Sequence, residues 1–317
     1  MTKQPPTILI VLIATAFALS ASFEPTYQQV NIEDNKVPNT PGLHNVLRIT
    51  EKLLSGSVPE GDTGFQTLQK LGVKTIITVD GAKPEVERAR KFGMRYVHLP
   101  IGYDGVPADQ GLRLAKAVRD LPGLIYIHCH HGKHRSPAAA VVVKLCLDKK
   151  CTVATAIDLM KQAGTDPKYV GLYASPKDLR RPTSAELDKV SSDFPEVAPT
   201  GSLVQKMVEI DECWDRLKLI QAAGWTVPRN HPDLDPPHEA LLLCEHFAVL
   251  GRSTETKKKP QAMLELLQQA EKEAKLLEAA LRQNAGPART AAADKSFKAS
   301  QASCTLCHAQ FRDVPRK

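Results

Sequence analysis

The fold of this 317-residue chain is constrained most by one segment, in which an apolar strand leads through a short basic loop into a helix. Residues 124–128 are apolar until the last position, which predicts a buried strand. Ser136-Pro137 opens a helical segment at 138–148, since both residues favour helix starts. A strand, a loop and a helix in this order bring backbone N–H groups and a helix N-terminus to one point. Residues 129–135 are therefore predicted to form an anion cradle.

Strand and helix patterns alternate on the N-terminal side of this segment. Runs rich in β-branched and aromatic residues at 72–80 and 95–101 predict two further strands. The patterns at 84–92 and 110–120 predict helices. Alternation of this kind indicates an α/β domain with a central sheet flanked by helices.

The residue types in the loop indicate nucleophilic chemistry on phosphate. A thiolate is the nucleophilic form of Cys129, and the helix dipole and Arg135 favour it. Arg135 offers a planar fork that can hold two phosphoryl oxygens while Cys129 approaches the phosphorus in line. The leaving group needs a proton from a separate loop. Asp104, which follows the neighbouring strand, is the first candidate acid, and Asp109 is the alternative.

The signature His-Cys-x-x-Gly-x-x-Arg-Ser at 128–136 resembles the phosphate loop of the protein tyrosine phosphatase superfamily, in its compact dual-specificity-like form. The resemblance covers residues 40–180, with 54–57 as an opening strand and 104–107 as the acid loop. It implies that Cys129 forms a phosphocysteine, that Asp104 acts as the acid, and that Ser136 donates a hydrogen bond to the departing thiolate. The residues that it implies in phosphate binding are His130, His131, Gly132, Lys133, His134 and Arg135.

Other interpretations of the loop stay open. Cys129 could be a small buried hydrophobe, or the loop could belong to a rhodanese-like sulfur carrier. His130, His131 and His134 could instead bind a metal ion, because histidine is the commonest metal ligand. Lys133 and these histidines place positive charge at the mouth of the loop, which favours a phosphorylated protein or a small polyphosphorylated substrate.

The C-terminal part of the chain shows helical patterns only. Residues 181–202 are rich in proline, serine and acidic residues, a composition typical of a linker. Apolar residues then recur at helical spacing in four segments, which are 203–223, 237–250, 260–283 and 291–311. Residues 203–317 are therefore predicted to form an all-α four-helix bundle.

The last of these helices carries Cys304-Thr305-Leu306-Cys307-His308. Two thiols at this spacing can each attach to a haem vinyl group, and the adjacent His308 can ligate the iron. A structural zinc site, a redox dithiol or plain core packing are the alternatives, and the zinc site would need Cys213 and Cys244 as further ligands.

Residues 297–312 resemble the C-terminal helix of cytochrome c prime. The resemblance implies one covalent haem c on Cys304 and Cys307, with His308 as an axial ligand of the iron. It also implies an apolar distal side, which Met207 or a neighbour in the first helix of the bundle could face.

The N-terminal residues predict the cellular compartment of the protein. Residues 1–22 combine Lys3, an apolar run at 8–19 and small residues after it, as export signals do. The run is shorter than the roughly 20 residues that a membrane span needs, so a soluble periplasmic or otherwise exported protein is expected, with an uncleaved anchor as the alternative. In such a compartment Cys146 could pair with Cys151 and Cys213 with Cys244, or all four could be free buried thiols.

The composition argues against a nucleic-acid partner. Aromatic residues make up only 5% of the chain, and its net charge of +7 is not concentrated in a basic arm.

These patterns together predict an exported cysteine-dependent phosphomonoester phosphatase with a haem c domain for sensing or electron transfer, where a redox partner or gas ligand would act. The alternative is a haem c electron-transfer or gas-binding protein whose phosphatase-like domain only binds phosphorylated ligands. The complete set of Cys129, Arg135, Ser136 and Asp104 favours the enzyme.

Overall fold

The computed structural model describes residues 1–2 and 35–315. The predicted export signal at 1–22 therefore lies, except for Met1 and Thr2, outside the described residues. No helix among the described residues has both the length and the apolarity that crossing a bilayer requires. The described residues from Asn35 onward belong to one compact unit.

A mixed five-stranded sheet forms the centre of the first half of this unit. Its order is β1-β2-β5-β3-β4, in which β1 is antiparallel to β2 and the other neighbours are parallel. The three strands predicted from their residue patterns are confirmed, and the opening strand implied at 54–57 is β2. The regular part of β4 ends at His98, three residues early, although the N–H groups of Leu99 and Ile101 still donate to the Thr78 and Val79 carbonyls. The strands are β1 (Leu47–Thr50), β2 (Leu53–Ser57), β3 (Val73–Thr78), β4 (Arg95–His98) and β5 (Leu124–Cys129).

Helices cover both faces of the sheet, as predicted for an α/β domain. Successive strand residues point to opposite faces, so Ile76 and Ile77 belong to different hydrophobic cores. Helices α1 (Gly61–Lys70) and α2 (Val86–Lys91) cover one face. The other face is covered by α3 (Ala108–Asp120) and α4 (Arg135–Leu147). Helices α5 (Val153–Gln162) and α6 (Val170–Asp178), which the sequence patterns did not predict, pack against α4.

The predicted linker at 181–202 is bound along the α/β part. It contains the short helix α7 (Ser184–Asp188), and Phe194 is buried in the core between the sheet, α3 and α4. His98 binds the backbone of this segment at two positions. Its N–H donates to the Pro195 carbonyl, and its Nδ1 accepts from the Ala198 N–H. Linker composition shows that a segment forms little regular structure, but not whether it packs on a neighbour.

Four long helices follow and share one hydrophobic core. One helix is present at each predicted segment: α8 (Ser202–Ala222), α9 (Pro236–Arg252), α10 (Gln261–Leu281) and α11 (Pro287–Phe311). Helix α10 packs against both α9 and α11, and α8 packs against α9. Asp235 begins α9 by accepting a hydrogen bond from the His238 N–H.

All seven cysteines are free thiols. The alternatives were two disulfides or four free thiols, and the structure has free thiols at all four positions. These are Cys146, Cys151, Cys213 and Cys244. The Cys213 thiol donates to the Glu239 carbonyl at 3.2 Å, inside the helical core. Within the described part of the chain, no cluster of metal-ligating side chains brings Cys213 or Cys244 together with Cys304 and Cys307. The structure therefore does not assemble the ligands of the zinc alternative.

Candidate active site

The predicted cradle forms at the carboxyl end of β5. Cys129 is the last residue of β5, and α4 begins at Arg135. Gly132 lies between them with a φ of +72°, a left-handed conformation that glycine adopts without strain. A Cβ at this position would lie 2.5 Å from the Gly56 carbonyl carbon. The loop therefore folds tightly onto the end of β2, which only glycine permits.

The carbonyl groups of the loop are bound by donors outside it. The His130 carbonyl accepts from the Val58 N–H at 3.1 Å, and the His131 carbonyl from the Asn45 amide at 2.8 Å. The Lys133 carbonyl accepts from the Thr165 hydroxyl at 2.6 Å. In the described part of the chain, the backbone N–H groups of residues 131–134 have no protein acceptor. Free N–H groups at a helix N-terminus are the donors that an anion site requires.

Cys129 and Ser136 lie side by side in the interior. Cys129 is 3% exposed, and its Sγ lies 3.3 Å from the Ser136 Oγ. The Ser136 hydroxyl donates to the Gly56 carbonyl at 3.1 Å. Its single hydrogen must turn from that carbonyl to the sulfur before the serine can donate to a Cys129 thiolate.

Arg135 is paired with a carboxylate that the sequence patterns did not single out. Asp80 follows β3 and accepts from Arg135 Nη2 at 3.0 Å and Nη1 at 3.3 Å. Burial alone would raise the pKa of Asp80, but Arg135 and the hydrogen bond from the Ala82 N–H outweigh it and lower the pKa to about 2. The Nε of Arg135 is buried and has no hydrogen-bond partner among the described residues. One donor of the guanidinium fork is therefore left for a ligand.

Asp80 also binds the phosphate loop directly. Its Oδ2 accepts the backbone N–H of His130 at 2.7 Å. The His130 amide is thus engaged by protein, unlike the amides of residues 131–134. The only sequence signal for Asp80 is its place after a buried strand, and Asp-Gly at such a place is equally typical of a turn.

The two candidate acids occupy different surroundings. Asp104 is half-buried in the loop between β4 and α3, and its backbone packs tightly on α6. A Cβ on Gly171 would lie 2.2 Å from the Asp104 carbonyl oxygen, so α6 needs a glycine there. Asp109 is exposed in the first turn of α3. Of the two carboxylates, only Asp104 lies on a loop, where a mobile acid is expected.

An aromatic cluster lies beside Arg135. The Tyr103 ring centroid is 4.6 Å from the Arg135 guanidinium carbon and 4.2 Å from that of Arg312, at the end of α11. Tyr169 packs against Tyr103 at 4.7 Å and against His134 at 4.6 Å. Burial raises the pKa of Tyr103 to about 12, so its phenol is neutral. The C-terminal helix therefore contributes a cation next to the phosphate loop.

Helix α8, the first of the four long helices, also contacts the region around the phosphate loop. Gln205 donates to the Gly81 carbonyl at 2.7 Å. A Cβ on Gly81 would lie 2.4 Å from Val204 Cγ1, so this glycine lets α8 approach. The His130 imidazole lies 3.1 Å from Asp215 in the middle of α8. Thus α8 is held against both the Asp80 loop and the phosphate loop.

The candidate haem ligands lie near the end of α11. Cys307 is buried in the core shared by α8–α11, and the half-buried Cys304 packs against the same core. Residues three apart lie on one side of a helix, so both thiols are presented together, with the half-buried His308 next to them. Ser300, one turn earlier, is buried, and its hydroxyl has no hydrogen-bond partner among the described residues. The two thiols lie at an apolar core, against which Met207 also packs, and with the adjacent His308 they are the groups that a covalently bound haem requires.

Comparison with known proteins gives matches among solved structures alone. No model of a known protein family matches the chain, and no curated protein matches it. The chain is similar to TpbA of P. aeruginosa, with 19% identity and a TM-score of 0.38 over 48% of this chain and 95% of that one. It is similar to human DUSP28, with 20% identity and a TM-score of 0.33 over 45% and 97%. The core catalytic domain of the PP-IP phosphatase SIW14 from S. cerevisiae has 16% identity and a TM-score of 0.36 over 39% and 78%.

Proposed function

We propose that this protein is a cysteine-dependent phosphomonoester phosphatase of the protein-tyrosine or dual-specificity type. The loop between Cys129 and Arg135 carries the proposal. Its carbonyl groups at 130, 131 and 133 are bound from outside. Among the described residues, its N–H groups at 131–134 and the Arg135 Nε have no protein acceptor. Donors concentrated in one short loop after a buried cysteine suit a phosphate dianion held against the sulfur.

The proposed reaction proceeds by two displacements. The Cys129 thiolate attacks phosphorus, so that an S–P bond forms while the bond to the leaving oxygen breaks and Asp104 gives that oxygen a proton. Water then attacks the phosphocysteine, and Asp104 takes up its proton. The S–P bond breaks, inorganic phosphate leaves, and Ser136 donates a hydrogen bond to the thiolate.

Asp80 holds Arg135, the cation that stabilises the transition state in the proposed reaction, in place. Its two hydrogen bonds orient the Arg135 fork before substrate arrives, and pre-oriented charges stabilise a transition state more than mobile ones do. Since Asp80 also holds the His130 N–H, one carboxylate fixes both ends of the loop.

The mouth of the site suits a phosphorylated protein or a small polyphosphorylated molecule. Lys133 is exposed there, and Lys168 lies 5.0 Å from the ring of Tyr169. Together with Arg312 these lysines offer a second phosphate or an acidic peptide more than one cation.

The test is phosphate release from phosphotyrosine peptide, phosphoserine peptide and inositol phosphates by the full-length protein. We expect turnover that Cys129→Ser abolishes, while the variant keeps phosphate binding, because a hydroxyl without a dedicated base is a poor nucleophile. Equal turnover in Cys129→Ser would refute the mechanism. Phosphate binding without turnover in the unmodified protein would favour the binding-module alternative.

We further propose that this is a periplasmic or otherwise exported protein in which Cys304 and Cys307 would hold one haem c through thioether bonds and His308 would ligate its iron. When bound, the haem would supply an iron that can exchange an electron or bind a small gas. The two thiols on α11 would anchor the ring, and the apolar core beside them would keep water away from it.

Covalent attachment is tested by mass rather than by activity. Protein matured in a host with c-type haem machinery should keep its haem through denaturation and acid extraction. Cys304→Ala with Cys307→Ala should lose the added mass, whereas Cys244→Ala, at a buried thiol on α9, should keep it. His308→Ala should keep the mass and change the spectrum. Absence of covalent haem in the unmodified protein would contradict the proposal.

A further inference from the structure

Two histidines of the phosphate loop meet a carboxylate of α8. The ligand atoms of His130, His131 and Asp215 all lie within 4.8 Å of one another, and no other such group of three or more is found in the described ranges. His130 Nε2 is 3.1 Å from Asp215 Oδ2, and the two imidazole centroids are 4.3 Å apart. This cluster lies outside the chemistry assigned above to Cys129 and Asp104.

The backbone on both sides of the cluster is held independently of the three side chains. The carbonyls of His130 and His131 are bound by Val58 and Asn45, which fixes the course of the loop. On α8, Val204 lies against Gly81, and Asp215 lies three turns further along the same side. The approach of these three groups is therefore set by the packing of α8 on the α/β part.

The donor set matches a transition metal. Two imidazole nitrogens and one carboxylate oxygen are a common ligand set for zinc, with water in the fourth position, whereas calcium and magnesium prefer oxygen ligands alone. Bonds of about 2.1 Å in a tetrahedron place ligand atoms about 3.4 Å apart, so closure needs shifts of about 1 Å. His131 is exposed and the other two side chains are about two-thirds buried, so side-chain rotation can supply this movement.

Asp215 retains an oxygen for an ion. Its Oδ1 accepts from Lys218 Nζ at 2.6 Å, while its Oδ2 points to His130. Lys218 can therefore hold the carboxylate in orientation while the second oxygen coordinates, as groups around metal ligands commonly do.

We propose that His130, His131 and Asp215 bind one divalent transition metal ion, with Zn²⁺ as the best match. The ion would tie the phosphate loop to α8, the helix that shares its core with the haem-attachment segment. The site requires neither phosphatase activity nor haem, so it can be tested apart from both.

The experiment is calorimetric titration of the full-length protein with Zn²⁺, followed by zinc-edge X-ray absorption of the loaded protein. We expect one tight site with nitrogen and oxygen scatterers and no sulfur. Asp215→Asn and His131→Gln should each weaken this site at least tenfold. The matched control Glu212→Gln, about one turn away on α8 and outside the cluster, should bind zinc like the unmodified protein.

Three results would overturn the proposal. One is zinc affinity that Asp215→Asn and His131→Gln leave unchanged, with the fold of each verified by circular dichroism. Another is a sulfur-dominated absorption spectrum, which would place the metal on the thiols. Complete lack of zinc binding to the unmodified protein would also refute it.

Discussion

The guanidinium of Arg312 lies 4.2 Å from the ring centroid of Tyr103, the residue directly before the candidate acid Asp104. Arg312 follows the last residue of α11 and lies four residues after His308. Its Nε also donates to Asp313 at 2.7 Å, which orients the planar group. The proposed haem-attachment segment and the proposed acid loop therefore meet through one cation–aromatic contact.

Arg312→Ala should lower phosphatase efficiency. Contacts of this kind contribute about 0.5–2 kcal/mol, so kcat/KM should fall by roughly 2- to 30-fold as Tyr103 loses its support. Steady-state kinetics on a phosphopeptide would measure this. Lys298→Ala, at an exposed position of α11, serves as the control. Identical kinetics in Arg312→Ala and Lys298→Ala would show that the contact has no catalytic consequence.

Asp104→Asn should reduce kcat by on the order of 10²–10⁴ for substrates with poor leaving groups, because the leaving alkoxide loses its proton donor. The loss should be smaller for nitrophenyl phosphate, whose leaving group needs less protonation. The comparison is made with Asp109→Asn, which we expect to be close to the unmodified enzyme. If Asp109→Asn carries the loss instead, the acid has been assigned to the wrong carboxylate.

Asp80→Asn should destabilise the fold by about 3–5 kcal/mol, since it leaves the guanidinium of Arg135 buried without its counter-charge. Urea unfolding measures the effect. Added phosphate should recover more stability in Asp80→Asn than in the unmodified protein, because an anion in the cradle replaces the lost charge. As a control, Asp62→Asn removes an exposed ion pair with Arg88 and should cost less than about 1 kcal/mol. An Asp80→Asn protein as stable as Asp62→Asn would contradict the role given to this pair.

The apoprotein should lose stability as the pH falls from 6.5 to 4. Burial lowers the pKa of His128 to about 4, so in this window the unfolded chain binds a proton that the folded chain does not. The free energy of unfolding then falls by up to about 1.4 kcal/mol per pH unit from this group. His128→Gln should reduce this pH dependence, measured by urea unfolding at several pH values. A part should remain, because burial also lowers the pKa of His134 and His308 to about 4. Exposed His44→Gln should keep the full pH dependence, and equal slopes in both variants would exclude His128 as a source.

Phosphatase rate constants should differ between ferric, ferrous and nitric-oxide-bound protein. Coupling between two sites requires contacts that differ between two states, and α11 and α8 both contact the proposed phosphatase site. Arg312→Ala should reduce the difference. Equal rates in all three states would mean that the haem does not regulate Cys129 chemistry.

The phosphate loop was predictable because its requirements are local. A buried strand requires a run of apolar residues. A left-handed turn needs Gly132, and a helix start favours Ser136-Pro137. The order of strand, loop and helix can therefore be recognised in consecutive residues. The helices α8–α11 were predictable for the same reason, since their apolar spacing follows the helical repeat. The short helices α5 and α6 were not, because tertiary packing against α4 supports them more than their own pattern does.

The candidate nucleophile, the predicted anion-binding loop and the Cys-x-x-Cys-His segment could all be predicted from the sequence, because each is encoded in neighbouring residues. The partners of these groups could not, because they depend on how distant elements pack. Asp80 is 55 residues from Arg135, and Asp215 is 85 residues from His130. Arg312 reaches Tyr103 from the far end of the chain. Charged and aromatic side chains meet across such separations only when packed elements bring them together. The periodicity of apolar residues predicts the elements themselves, but not which of their surfaces will be in contact.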